Sequence, residues 1–220
     1  RTTVIDANGK KVVCKSDDAE IVSGGKCVVG QMLDVVKPRL WSVKDPYLYK
    51  VISEVMADDK VIDRYETPLG IRSLHFDAEK GFFLNEESLK ILGVCLHHDL
   101  GCLGTAVNKR ALERQLEILK AMGCNAVRTS HNPPAPELLD LCDRMGILVQ
   151  DETFDMWRKR KSRYDYSHDF PEWHERDLTD HILRDRNHPS VFMWSIGNEV
   201  HEQFNRTNTD TLTLQQANVL

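Results

Sequence analysis

The chain has 220 residues, with 29 basic against 34 acidic side chains and a net charge of −5, a balance that argues against nucleic acid as a partner because phosphates need a basic face. Hydrophobic residues at 41% and charged residues at 29% call for a packed core, in one large domain or two small ones. No apolar run approaches the roughly 18–20 residues of a membrane-spanning helix, so a membrane is not expected as a partner.

The opening residues, RTTVIDANGKK, show no initiator Met and no signal-peptide pattern. They read as a chain whose leader has been removed or as a piece of a longer protein, and the compartment stays open. TTVIDANGKKVVCK gives two apolar-rich segments about Asn8-Gly9, a strong hairpin signal. YLYKVISEVMADDKVIDRYE gives two more candidate strands about Asp58-Asp59. With no helical period before residue 76, residues 1–76 read as part of a β-sandwich.

The rhythm then changes. LKILGVCLHH is strand-like, and NKRALERQLEILKAMG places Leu112, Leu116, Leu119 and Met122 on one helix face, with Asn108 as N-cap and Gly123 as stop. A strand in CNAVRTSH, a helix from Pro136 to Gly146 and a strand in ILVQDE follow. After the polar stretch RKRKSRYDYSHDF come a helix over about 172–186 and a buried strand from Val191 to Ile196. TDTLTLQQANVL reads as the start of a fourth helix. Alternating strand and helix is the pattern of a parallel sheet with crossover helices. Six cysteines without a C-x-x-C pair read as free thiols.

Each of the four strands ends in polar chemistry: His97-His98-Asp99, Arg128 to His131, Asp151-Glu152 and Asn198-Glu199. Ligands of α/β sheets and barrels bind at the carboxyl ends of strands, so four such ends in succession predict a site. Bland alternatives stand beside this. The two histidines are also ordinary loop residues, and Arg128 also serves as an ion-pair partner of Asp151 or Glu152. RKRK at 158–161 reads as a solvated loop. Trp173 and Trp194 read as packing, whereas Trp157, just beyond a strand end, is a candidate sugar platform.

NAVRTSHNPP, DETFDMW and WSIGNEV, in that order, resemble glycoside hydrolase family 2, the β-galactosidase group. GFFLNEESLKILGVCLHHD resembles the passage from that family's second sandwich domain into its catalytic barrel, and LWSVKDPYLYKV and LGIRS the last strands of that sandwich. The resemblance implies an immunoglobulin-like β-sandwich over 1–76 and the first half of a (β/α)8 TIM barrel over 77–220. It implies Glu199 as general acid/base and Asn198 on the sugar 2-hydroxyl. His97, Arg128 and His131 match positions lining the glycone site, and Asp151-Glu152 matches the acidic pair of the third strand. The Glu of that pair binds magnesium in some β-galactosidases, but no metal or other cofactor is assigned here. Where many members read G-V-N-R-H, this chain has Gly93-Val94-Cys95-Leu96-His97, so contacts from the first strand are expected to differ.

Retaining glycosidases need two carboxyl groups about 5–5.5 Å apart, one acid/base and one nucleophile. Glu199, expected to be partly desolvated at the end of a buried strand, suits the first role. The family's nucleophile lies on the seventh strand, and a full barrel takes about 250 residues. Glu202 and Asp210 are poor substitutes, so the nucleophile is expected beyond residue 220 and this stretch alone is expected to be inactive. A half-barrel also leaves its outer strands as open edges, which predicts self-association. Two other functions compete. One is a metal-dependent hydrolase with His97, Asp99, His131, Asp151 and Glu152 as ligands. The other is a non-catalytic carbohydrate-binding or assembly module.

Overall fold

Left-handed backbone at two turns shapes the N-terminal part of the computed structural model, which describes residues 1–204. Gly9, at φ 80°, closes the turn between β1 (Thr2–Ile5) and β2 (Lys11–Lys15), and the Asp6 carboxylate accepts from the Asn8 and Lys10 amides at 2.9 Å each. Asp58 (φ 47°) and Asp59 (φ 62°) join β3 (Tyr49–Ala57) to β4 (Lys60–Leu69). Two successive positive φ values match the right-handed twist of a two-residue hairpin. The strands pair antiparallel in the order β2-β1-β3-β4.

This is one sheet, where a sandwich needs two. Residues 16–48 carry no strand beyond an isolated bridge between Trp41 and Pro46, and Val22, Val28, Met32 and Val36 along them are exposed. A second antiparallel unit, missed in the sequence because its strands are so short, follows: β5 (Leu74–Asp77), β6 (Gly81–Leu84) and β7 (Glu87–Ser88). β5 crosses the boundary drawn between residues 76 and 77.

The parallel sheet consists of β8 (Gly93–His97), β9 (Ala126–Ser130), β10 (Leu148–Glu152) and β11 (Val191–Ser195), in the order β11-β10-β9-β8. Three helices connect them: α1 (Lys109–Ala121), α2 (Pro136–Met145) and α3 (Phe170–Asp185). The Asn108 side chain caps α1 by accepting from the Ala111 amide at 3.0 Å, and Gly146, at φ 69°, ends α2. Leu112 and Leu116 of α1 and Leu139 of α2 pack on Val127, Val149 and Val191, which fill one face of the sheet. On the other face Gly93, Cys95, His97 and Met193 are exposed. A fourth helix in TDTLTLQQANVL, and Asp210 within it, lie outside the described residues.

The two parts are tied firmly. Phe82 and Leu84 of β6 pack with Trp41 against Ala126, Leu148 and Phe192, at the amino ends of the parallel strands. The fully buried Trp41 donates its indole N–H to the Asp143 carbonyl at 2.8 Å, and Arg72 donates to the carbonyls of Pro189 and Val191. One end of the parallel sheet is thus plugged and apolar. The carboxyl ends remain open for chemistry. Among the described residues, no helix is long and apolar enough to cross a membrane.

Candidate active site

Strand alternation decides which polar residues meet. Arg128, Glu152 and Ser195 lie on one face of the sheet, and successive side chains of each strand point to opposite faces. Glu152 is fully buried and is the hub. Its Oε2 accepts from Arg128 Nε at 2.8 Å, Arg128 Nη2 at 2.6 Å and Ser195 Oγ at 2.6 Å, while His131 Nδ1 lies 2.6 Å from Oε1. The His97 ring stands edge-on to that of His131, with centroids 5.2 Å apart.

Arg128 also reaches the fourth strand end, donating from Nη2 to Asn198 Oδ1 at 3.0 Å. Asn198 Nδ2 in turn donates to Asp155 Oδ1 at 2.9 Å. His97, Arg128, His131, Glu152 and Asn198 thus form one connected set. Burial works against the Arg128 charge, but the Glu152 hydrogen bonds and charge outweigh it and raise its pKa. For Asp155, burial is likewise outweighed by hydrogen bonds from Lys161 and Asn198, which hold its pKa down. Arg128 is therefore both ion-pair partner and site residue.

Four expectations need correction. Asp151 does not join the set: it follows the alternation to the helix-facing side, where it is fully buried beside His181 and Asp185. Trp157 is no sugar platform, being 5% exposed with its indole N–H donated to the Ile196 carbonyl at 2.8 Å and its ring near Phe170. Glu199 is exposed rather than desolvated, because the chain turns out of the strand there at φ 42°. RKRK is not merely a solvated loop, since Lys161 Nζ donates to Asp155 Oδ1 at 2.8 Å and to the Asn198 carbonyl at 2.6 Å.

The separation of Asp151 from Glu152 also removes the five-ligand metal reading. Magnesium on Glu152 does not fit either, because it would have to displace Arg128 from a carboxylate that already accepts three hydrogen bonds on Oε2. Among the described residues, only Asp151, His181 and Asp185 have metal-ligand spacing, their donor atoms lying within 4.8 Å of one another. There the Arg184 fork covers both Asp185 oxygens at 2.6 Å, and a metal ion would meet its positive charge. His181 Nε2 instead lies 3.1 Å from an oxygen of each carboxylate. Burial lowers its pKa, but the two aspartates outweigh that and raise it.

A cavity of about 660 Å³ opens between the stretch after β10 and α3, lined by His131, Asp155, Tyr166, Asp180, His181 and Arg184 among others. Residues 77–217 match the family model for the TIM barrel domain of glycosyl hydrolases family 2, and residues 1–72 match a second model of glycosyl hydrolases family 2. The chain belongs to glycosyl hydrolase family 2.

Among its family 2 relatives, the β-galactosidase BoGH2A of Bacteroides ovatus is 60% identical over 98% of the chain and 25% of its own length. A β-glucuronidase of Bacteroides fragilis is 35% identical over 90% of the chain and 29% of its own length. Among solved structures, a family 2 member from Bacteroides cellulosilyticus superposes with a TM-score of 0.90 at 48% identity, covering 93% of the chain and 26% of that structure. A β-glycosidase from Bacteroides vulgatus superposes with a TM-score of 0.84 at 38% identity, covering 99% of the chain and 27% of that structure. The chain therefore spans about a quarter of the length of these family 2 proteins.

Three members of the site escaped the sequence reading: Ser195, Asp155 and Lys161. Ser195 was not legible, since a bulge in β11 after Val191 puts Met193 and Ser195 on the face opposite Val191, where strict alternation would have kept all three together. Asp155 and Lys161 sit in the irregular stretch after β10, where no period predicts direction. Their contacts depend on where that stretch folds back.

Proposed function

We propose that this chain is the acid/base-bearing segment of a retaining β-glycosidase that removes terminal β-galactosides. Glu199 protonates the departing glycosidic oxygen and then deprotonates the attacking water, and Asn198 binds the sugar 2-hydroxyl. His97, His131 and Arg128 line the glycone, with Glu152 fixing the last two. The nucleophile carboxylate lies outside residues 1–220. The parallel sheet is the first half of a (β/α)8 barrel over 77–220, and the N-terminal sheet is one layer of an immunoglobulin-like sandwich over 1–76.

The observation that carries this is the relay Glu152–Arg128–Asn198, which fastens the turn bearing Glu199 at the open ends of the strands. The choice of galactoside rests on the 60% identity to a protein named as a β-galactosidase, against 43% to one named as a putative β-glucuronidase.

The test is a panel of aryl β-glycosides with the full-length protein and its Glu199→Gln variant. Turnover of the galactoside, reduced by about 10²- to 10⁴-fold in the variant, is expected. Preference for the glucuronide would overturn the substrate assignment, and an unimpaired variant would overturn the role of Glu199. The isolated segment should be silent on every sugar and should self-associate through the edges of β8 and β11, as read by light scattering.

A further inference from the structure

Resting on that reading of Glu199, we propose that Lys161 is a positioning residue that holds the Asn198–Glu199 peptide in its catalytic orientation. Glu199 adopts φ 42°, a left-handed conformation that a residue with a Cβ rarely takes unless its surroundings impose it. The surroundings here are the stretch from Asp155 to Asp165. It touches the turn at successive points: Trp157 on the Ile196 carbonyl, Asp155 on the Asn198 side-chain Nδ2, Lys161 on the Asn198 carbonyl and the Lys159 amide on the Glu202 carboxylate.

Of these contacts, the one from Lys161 bears most directly on Glu199. The carbonyl it binds, at 2.6 Å, belongs to the peptide unit whose N–H is that of Glu199. Because that unit is planar, fixing its oxygen fixes the direction in which the chain enters Glu199. Lys161 is itself held: its side chain is 18% exposed, its charge is matched by Asp155 at 2.8 Å, and its amide donates to Asp165 Oδ2 at 2.6 Å. The Ser162 amide donates to the same oxygen at 2.7 Å. A charged donor on a restrained backbone is worth more than a neutral one. Lys161 touches no reacting atom in this arrangement and acts through the carboxyl group it orients.

Acid catalysis matters only when the leaving group needs a proton, and this separates positioning of Glu199 from general structural support. The experiment compares kcat/KM of the full-length enzyme on a phenyl β-galactoside and on its dinitrophenyl counterpart. Lys161→Met, Lys161→Arg and Glu199→Gln are measured in parallel, with thermal unfolding as the check on folding. Lys161→Met is expected to lose about 10- to 100-fold on the phenyl substrate and less than about 3-fold on the dinitrophenyl one. Lys161→Arg, which keeps a charged donor, should recover most of the loss.

An equal loss on both substrates, or no loss on either, would overturn the role of Lys161. If Glu199→Gln itself lacks the dependence on the leaving group, the acid/base assignment fails first and the proposal falls with it. The two failures are therefore told apart by the Glu199 variant alone. If Lys161→Met does not fold, Lys161→Gln is measured in its place with the same two substrates.

Discussion

Asp151 and Glu152 are neighbours in the chain and both are fully buried, yet they live in different parts of the molecule. Glu152 faces the open side of the sheet and gathers Arg128, His131 and Ser195. Asp151 faces α3 and meets His181, Asp185 and the Thr129 hydroxyl. Burial pushes the Asp151 pKa up, with His181 pulling against it. One peptide bond separates a carboxylate that organises a site from one that organises the packing of a helix. Burial alone does not say which groups a carboxylate meets; the face of the strand does.

The largest effect should come from the helix-facing side. Asp185 accepts from the Arg184 fork and faces His181, so Asp185→Asn breaks the Arg184 ion pair and leaves only Asp151 beside His181, and should cost about 3 kcal/mol. Urea unfolding of the full-length enzyme measures this, and the folded fraction should keep its kcat/KM within about 3-fold. A large loss of activity in fully folded protein would break the distinction between the two faces.

Next comes the open face itself. Glu152→Gln should lower kcat/KM by about 100-fold, because Arg128 and His131 lose the group that orients them. Asp151→Asn should change kcat/KM by less than about 3-fold. Steady-state kinetics on the pair gives the comparison directly, and equal losses would refute it.

The smallest effect is in pH dependence. Burial lowers the His188 pKa, but Asp143, 2.6 Å from Nδ1, outweighs it and raises it, as the two aspartates do for His181. A histidine raised on folding stabilises fully below its unfolded pKa of about 6.5, and loses that contribution as pH rises through its folded value. Asp185 works in the opposite sense. Burial raises its pKa, but His181 and Arg184 outweigh this and lower it, so its contribution is present above about 3.9 and lost on acidification. Stability should therefore decline on the alkaline side of about pH 6.5, and His181→Gln should flatten that decline in urea titrations at several pH values.

Much of this was legible without coordinates. The Asn8-Gly9 and Asp58-Asp59 turns, the Asn108 cap and the stripe of Leu112 and Leu116 each follow from local steric and hydrogen-bonding rules. The Asn198-Glu199 strand end was legible for a different reason, because it forms part of an ordered set of motifs. The β5–β7 unit was not legible, since strands of four, four and two residues carry too little alternation to register. Trp157 misled because a position just past a strand end says nothing about whether the ring turns outward or under the next turn.

The sequence by itself determined the order of strands and helices from β8 to β11, and which strand ends carry polar groups, since these depend on interactions within a few residues. Only the tertiary structure decided that Glu152 faces Arg128 while Asp151 faces His181, and that Lys161 folds back onto the Asn198 carbonyl. The physical reason is range. Propensity and periodicity act along the chain, whereas Lys161 and Asn198 meet across 37 residues and need β11 and the irregular stretch after β10 both in place.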